Sequence, residues 1–206
     1  MNTEKNAGIA VFLTALLLYS PLAGFAQTAT ATSFSGEGTA LKATAPGGIS
    51  LSVGDTGALP SSGGNLSTSA LSVNVLGLVS ADLLKSTASG SGTTSQATSQ
   101  AAHVSLLGGV IAADVVKSNS SATCSGTTAS TSGDAQIVNL VVAGQSVAVS
   151  NPNLSLTLPG GISVIVNQQT SSSGGNSGSI TVNALHVTGP AGLDIVVASA
   201  NSDITC

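Results

Sequence analysis

Charge is what this sequence has least of. Only 6% of its 206 residues are Asp, Glu, Lys or Arg, against about a quarter in ordinary soluble domains. There is no Arg, and the four cations are Lys5, Lys42, Lys85 and Lys117. Such a chain cannot build the basic stripe that neutralises a phosphate backbone, which excludes nucleic-acid binding. Aromatic residues are nearly as scarce, with no Trp, one Tyr and three Phe. A core must therefore come from Val, Leu, Ile and Ala, small and often β-branched side chains suited to thin layers between strands. Simple disorder is excluded too. The chain is 42% hydrophobic with a mean hydropathy of +0.46, too apolar to remain unfolded.

The N-terminus reads as an address. A short polar start carrying Lys5 precedes an apolar run, Ala7–Tyr19, that is broken by Ser20-Pro21. Gly24-Phe25-Ala26 then places small residues at the −3 and −1 positions of a signal-peptide cleavage site. The run is shorter than the roughly 20 residues that span a bilayer. The expected division is a signal peptide over 1–26 and a single all-β domain with Ser/Thr/Gly-rich loops over 27–206. No transmembrane segment is expected after signal removal. Phe34 is then the only aromatic residue in the mature chain.

Two cysteines remain, Cys124 and Cys206. In an oxidising compartment such a pair reads as a disulfide rather than a metal or catalytic site. The alternative is two free or intermolecular thiols.

Apolar stretches cut at short intervals by Gly, Ser and Pro give a β reading. Leu154–Leu158 and Ile162–Val166 flank Pro159-Gly160-Gly161 as a hairpin. Ile137–Val142 with Ser146–Val149, and Ile180–Thr188 with Leu193–Ala198, read the same way. The polar stretches Ser89–Gln100, Ser118–Gly133 and Gln169–Gly178 read either as long surface loops or as extended polar strands.

A repeat is present. Gly77 to Ser86 (GLVSADLLKS) aligns without gaps on Gly109 to Ser118 (GVIAADVVKS), 32 residues later. Strict alternation gives each copy one apolar face, Val79, Ala81 and Leu83 or Ile111, Ala113 and Val115. The other face holds Asp82 or Asp114 among mostly apolar neighbours. A weaker echo makes Asp194 a third equivalent carboxylate. The expected fold is an all-β antiparallel sandwich or roll built from successive hairpins, with a β-solenoid as the alternative.

These residues carry a resemblance. The runs HVSLLGGVIAADVVKS (His103–Ser118) and TVNALHVTGPAGLDIVVASANSDI (Thr181–Ile204), each followed by a single cysteine, resemble the choice-of-anchor P family. The resemblance implies a secreted bacterial surface protein, found with varied C-terminal anchoring signals and without an established molecular function. No sorting motif follows Asp203 in this sequence, so secretion is expected while cell attachment stays open.

Catalytic constellations are sparse. His103 and His186 are the only histidines, and neither belongs to an HxH or HExxH spacing. Asp82, Asp114 and Asp194 suit acid/base work or calcium only if the fold gathers them. No G-x-S-x-G elbow occurs. The expectation is a non-catalytic protein without metal or cofactor, in a structural or adhesive role, with itself or cell-envelope components as partners. A soluble glycan- or ligand-binding module is the alternative.

Overall fold

The computed structural model describes residues 31–75 and 77–206. The expected signal peptide lies outside them. Among the described residues, no helix is long and apolar enough to cross a membrane. The chain runs through β1 (Ser33–Ala45), β2 (Ile49–Asp55), β3 (Gly64–Val75), β4 (Val79–Ser91), β5 (Thr94–Leu106), β6 (Ile111–Ser125) and β7 (Thr128–Val138). The short β8 (Val141–Val142), β9 (Gln145–Ser146) and β10 (Leu154–Leu158) follow, then β11 (Ile162–Gly174), β12 (Ser177–Thr188) and β13 (Asp194–Thr205).

Two antiparallel sheets face each other without closing into a barrel. Sheet A has the order β10-β11-β12-β13-β1-β2, and sheet B the order β3-β4-β5-β6-β8-β9 with β7 also on β6. The described residues begin in sheet A, meander through sheet B and return. The last strand, β13, lies in the middle of sheet A between β1 and β12. This is a sandwich made of hairpins, and the solenoid alternative does not hold.

The polar low-complexity stretches are strands, not loops. Three of their turns have two residues, Gly92-Thr93, Gly126-Thr127 and Gly175-Asn176, shown by the flanking pairs Ser91↔Thr94, Ser125↔Thr128 and Gly174↔Ser177. Each glycine has φ near +60°. Glycine at the first turn position suits the type II′ turn, whose twist matches the flanking strands.

The space between the sheets changes character along the strands. One end is aliphatic, filled by Leu41, Leu84, Leu106, Ile111, Leu185, Ile195 and their neighbours. The opposite end holds Phe34, Leu59, Ile204 and the Cys124–Cys206 disulfide, whose Cα atoms are 5.5 Å apart. Between them the sheets touch through small residues. Ser99 Oγ donates to the Ser199 carbonyl at 2.7 Å and Ser95 Oγ to that of Ser35 at 2.8 Å, while Ser120 and Ser202 share a hydroxyl bond of 2.7 Å. Gly38 lies so close to β4 that a Cβ there would stand 3.0 Å from both Ser86 Cβ and the Thr87 carbonyl. Ser95 and Ser99 thus satisfy their hydroxyls on the facing backbone, as buried polar groups usually do, whereas the buried Ser118 hydroxyl has no partner among the described residues.

The strict alternation expected of the repeat fails, and in the same way in both copies. Val79 and Ala81 point inward, but so does Leu84, fully buried, while Leu83 is 57% exposed. Likewise Ile111, Ala113 and Val116 are buried and Val115 faces out. Every long strand of sheet B has two consecutive outward residues at this level: Leu71-Ser72, Asp82-Leu83, Ala102-His103, Asp114-Val115 and Val138-Asn139. Sheet A answers with two consecutive inward residues: Val53-Gly54, Ala40-Leu41, Val197-Ala198, Ala184-Leu185 and Val166-Asn167. Strand pairing places these doublets side by side across each sheet. Both sheets thus reverse their pleat along one transverse line. Left-handed backbone marks it at Leu83, His103, Asn139, Asn167 and Ala198, a conformation that non-glycine residues adopt only under constraint.

Candidate functional site

The pleat reversal gathers part of the chemistry singled out in the sequence. On the outer face of sheet B, Asp82, His103 and Asp114 fall on three neighbouring strands, β4, β5 and β6, all within the doublets. His103 Nδ1 lies 3.5 Å from an Asp82 oxygen, with both side chains more than half exposed. Asp114 instead accepts a 2.6 Å hydrogen bond from Asn139 Nδ2. Neither carboxylate is held by Lys85 or Lys117. Those lysines sit one row away, with Gln100 between them: Lys85↔Gln100↔Lys117. A largely exposed pair such as His103–Asp82 contributes little to stability.

Asp194 is not equivalent to Asp82 and Asp114. It opens β13 on the other sheet, three residues before the doublet Val197-Ala198, opposite Thr44 and Thr188. Its partner is His186, whose Nε2 is 3.2 Å from Asp194 Oδ1. His186 Nδ1 lies 2.8 Å from Gln168 Oε1, which also accepts from Asn183 Nδ2 at 2.8 Å. The imidazole thus bridges the Gln168 amide on β11 and the Asp194 carboxylate on β13. Among the described residues, no serine or cysteine side chain is hydrogen-bonded to either imidazole. Among the described residues, no three His, Cys, Asp or Glu side chains converge on a point where a metal could sit.

Gln168, Asn183 and Asn139 were not foreseen. Their roles depend on the register of neighbouring strands, which no local motif carries. A further site emerged at the disulfide end of sheet A, a shallow depression of about 200 Å³ lined by Ser33, Ser35, Ser172, Ser177, Ser179 and Asp203. Asp203 lies on the central strand opposite Ser35 and Ser179, and its Oδ1 is buried without a hydrogen-bond partner.

Glu37 adds one perturbed acid to this outer face. Its carboxyl is raised above the ordinary range, first by partial burial and then by the charge of Asp55 and a hydrogen bond with it; the Thr39 hydroxyl and Lys42 act in the opposite direction. A raised carboxyl means that the fold disfavours the charged form. Below the ordinary carboxylate range both states are protonated and no penalty exists; it appears as pH rises through the folded value. Glu37→Gln is therefore expected to raise the thermal midpoint at neutral pH. The gain should vanish near about pH 3.5, which melts at the two pH values would check.

No family model, no curated protein and no solved structure matches the chain.

Proposed function

We propose that the chain is a secreted, non-catalytic bacterial surface or extracellular protein with a structural or adhesive role. The observation that carries this reading is the chemistry of the outer faces. Across sheet B run Asn65–Ser89–Gln96–Ser121–Ser132 and Ser67–Thr87–Thr98–Asn119–Asp134, row after row of hydroxyls and amides held by strand pairing. Across sheet A runs Ser172–Ser179–Asp203–Ser35. Broad, low-charge faces of this kind suit contact with an extended surface. A small substrate is instead usually enclosed in a concave, mostly apolar pocket. The disulfide and the resemblance to the choice-of-anchor P family agree with life in an oxidising, extracellular setting.

The test is detection on intact cells and in culture medium, with the N-terminus of the recovered chain read by mass spectrometry. A chain starting at Gln27 outside the cell is expected. Recovery only from inside the cell, with residues 1–26 retained, would sink the reading. A second reading, a glycan- or ligand-binding module, is favoured by the Asp203 depression. Saturable binding in a glycan panel that is lost in Asp203→Ala would move it to first place.

A further inference from the structure

Resting on the proposed structural role, we infer that two copies of this chain associate edge to edge through β3, antiparallel about a two-fold axis between Leu71 and Ser72. The starting point is that β3 is an unguarded edge. Natural sheets protect their edges with charge, proline, bulges or brevity. Most other free edges follow that rule: β10 is short and bounded by Pro152 and Pro159, β9 has two residues, β2 is short and ends in Asp55, and β7 carries Asp134. The stretch of β11 beyond Val166, which β10 does not cover, is uncharged like β3 but lacks the outward doublet that β3 carries. By contrast β3 spans 12 residues, and no charged residue or histidine occurs from Thr56 to Ala81. Among the described residues, β4 is the only strand paired with β3, and no side-chain hydrogen bond involves Gly64 to Val75.

The pleat reversal says what can dock there. Among β3 to β7, neighbouring strands set doublet against doublet, with an irregular register between β4 and β5 at that level. A plainly alternating strand added to β3 would match its faces on one side of the line and invert them on the other. The incoming strand must carry the same reversal. A second copy's β3 does, and its pattern is symmetric about the doublet. Leu66, Thr68 and Ala70 point in on one side, Val73 and Val75 on the other; Asn65, Ser67 and Ser69 point out, answered by Asn74.

Turned antiparallel, the second copy sets its Ser72 against Leu71, its Val73 against Ala70, its Asn74 against Ser69 and its Val75 against Thr68. Every pair shares a face. Leu71, 83% exposed and the most exposed large apolar side chain described, would then meet its symmetry mate beside the two Leu83 residues. The two edges bring no like charges together.

The register can be tested by charge. Ser69 and Asn74 are exposed, and Ser69 faces Lys85 within its own sheet, so a glutamate at 69 is tolerated. The wild-type oxidised protein should show a mass that rises with concentration and levels at twice the chain mass, because a two-fold contact closes on itself. Ser69→Glu with Asn74→Glu sets like charges opposite each other twice and should weaken the dimer about tenfold or more. Ser69→Glu with Asn74→Lys sets opposite charges there and should restore it. Ser130→Lys with Ser132→Lys, on the exposed face of β7, should change nothing.

A monomer at all concentrations, a dimer indifferent to the sign at 74, or an open-ended series of oligomers would overturn the inference. Circular dichroism of each variant separates misfolding from lost association. None of these outcomes touches secretion, which the cell-surface experiment decides separately.

Discussion

Replacing both cysteines with serine is expected to lower the stability of the protein by roughly 2 to 5 kcal/mol, without removing its β structure. The bond between Cys124 and Cys206 closes 82 residues of chain. On the chain-entropy account, a loop of that length destabilises the unfolded ensemble by about 4 to 5 kcal/mol, an upper figure from which any native strain subtracts. Folded domains have only about 5–15 kcal/mol in total. The loss would therefore appear as a large drop in the urea midpoint, with unfolding still cooperative.

Two effects compete here, and the topology decides between them. Had the last strand been an edge, cutting the bond would chiefly release the C-terminus. But β13 is paired along its length with β1 on one side and β12 on the other. The Cys206 N–H also donates to the Asn176 carbonyl at 2.7 Å, and Ile204 is buried beside Phe34. The cost should thus fall on the global equilibrium. Amide exchange at Ile204 and Thr205 should follow the global midpoint. Rapid exchange there at an unchanged midpoint would instead mean local fraying, and would refute the unfolded-state account.

How much of this was legible depends on what each residue had to reveal. The hairpin Leu154–Leu158/Ile162–Val166 was plain, because an apolar run, a turn and a second run are all local. The polar strands were not, because their inward positions are Ser95, Ala97 and Ser99 against outward Gln96, Thr98 and Gln100. Their alternation is one of size, small inside and larger outside, where pattern reading looks for polarity. The repeat correctly announced two equivalent strands, β4 and β6. It did not say that Asp82 and Asp114 share a sheet, and the weaker echo gave no sign that Asp194 opens a strand of the other one. The partners of His186 were beyond reach, since Gln168 and Asp194 meet it only once three strands take their register.

Leu84→Ala is expected to cost about 2–5 kcal/mol, as for other fully buried leucines, while Leu83→Ala should stay within about 0.5 kcal/mol of wild type. Strict alternation from Val79 and Ala81 gives the opposite order. Urea midpoints of the two variants decide between them, and the pair Val116→Ala and Val115→Ala repeats the test on the second copy. Equal losses, or a larger loss at 83, would mean that the strands keep one phase.

The reversal has a physical cost and a physical return. Left-handed backbone at a residue such as Leu83 or Ala198 costs roughly 1–2 kcal/mol. In exchange, each strand keeps apolar residues inward on both sides of the line, which no single phase of this sequence allows: Ala81 and Leu84, Ala113 and Val116, Val197 and Ala200 are all buried. The two sheets must reverse together, with one presenting doublets inward where the other turns them outward. A sheet that flipped alone would lose contact with its partner on one side of the line. The same constraint that seats Leu84 in the core therefore puts Leu83 and Leu71 on the surface, at the edge where a second copy would continue the line.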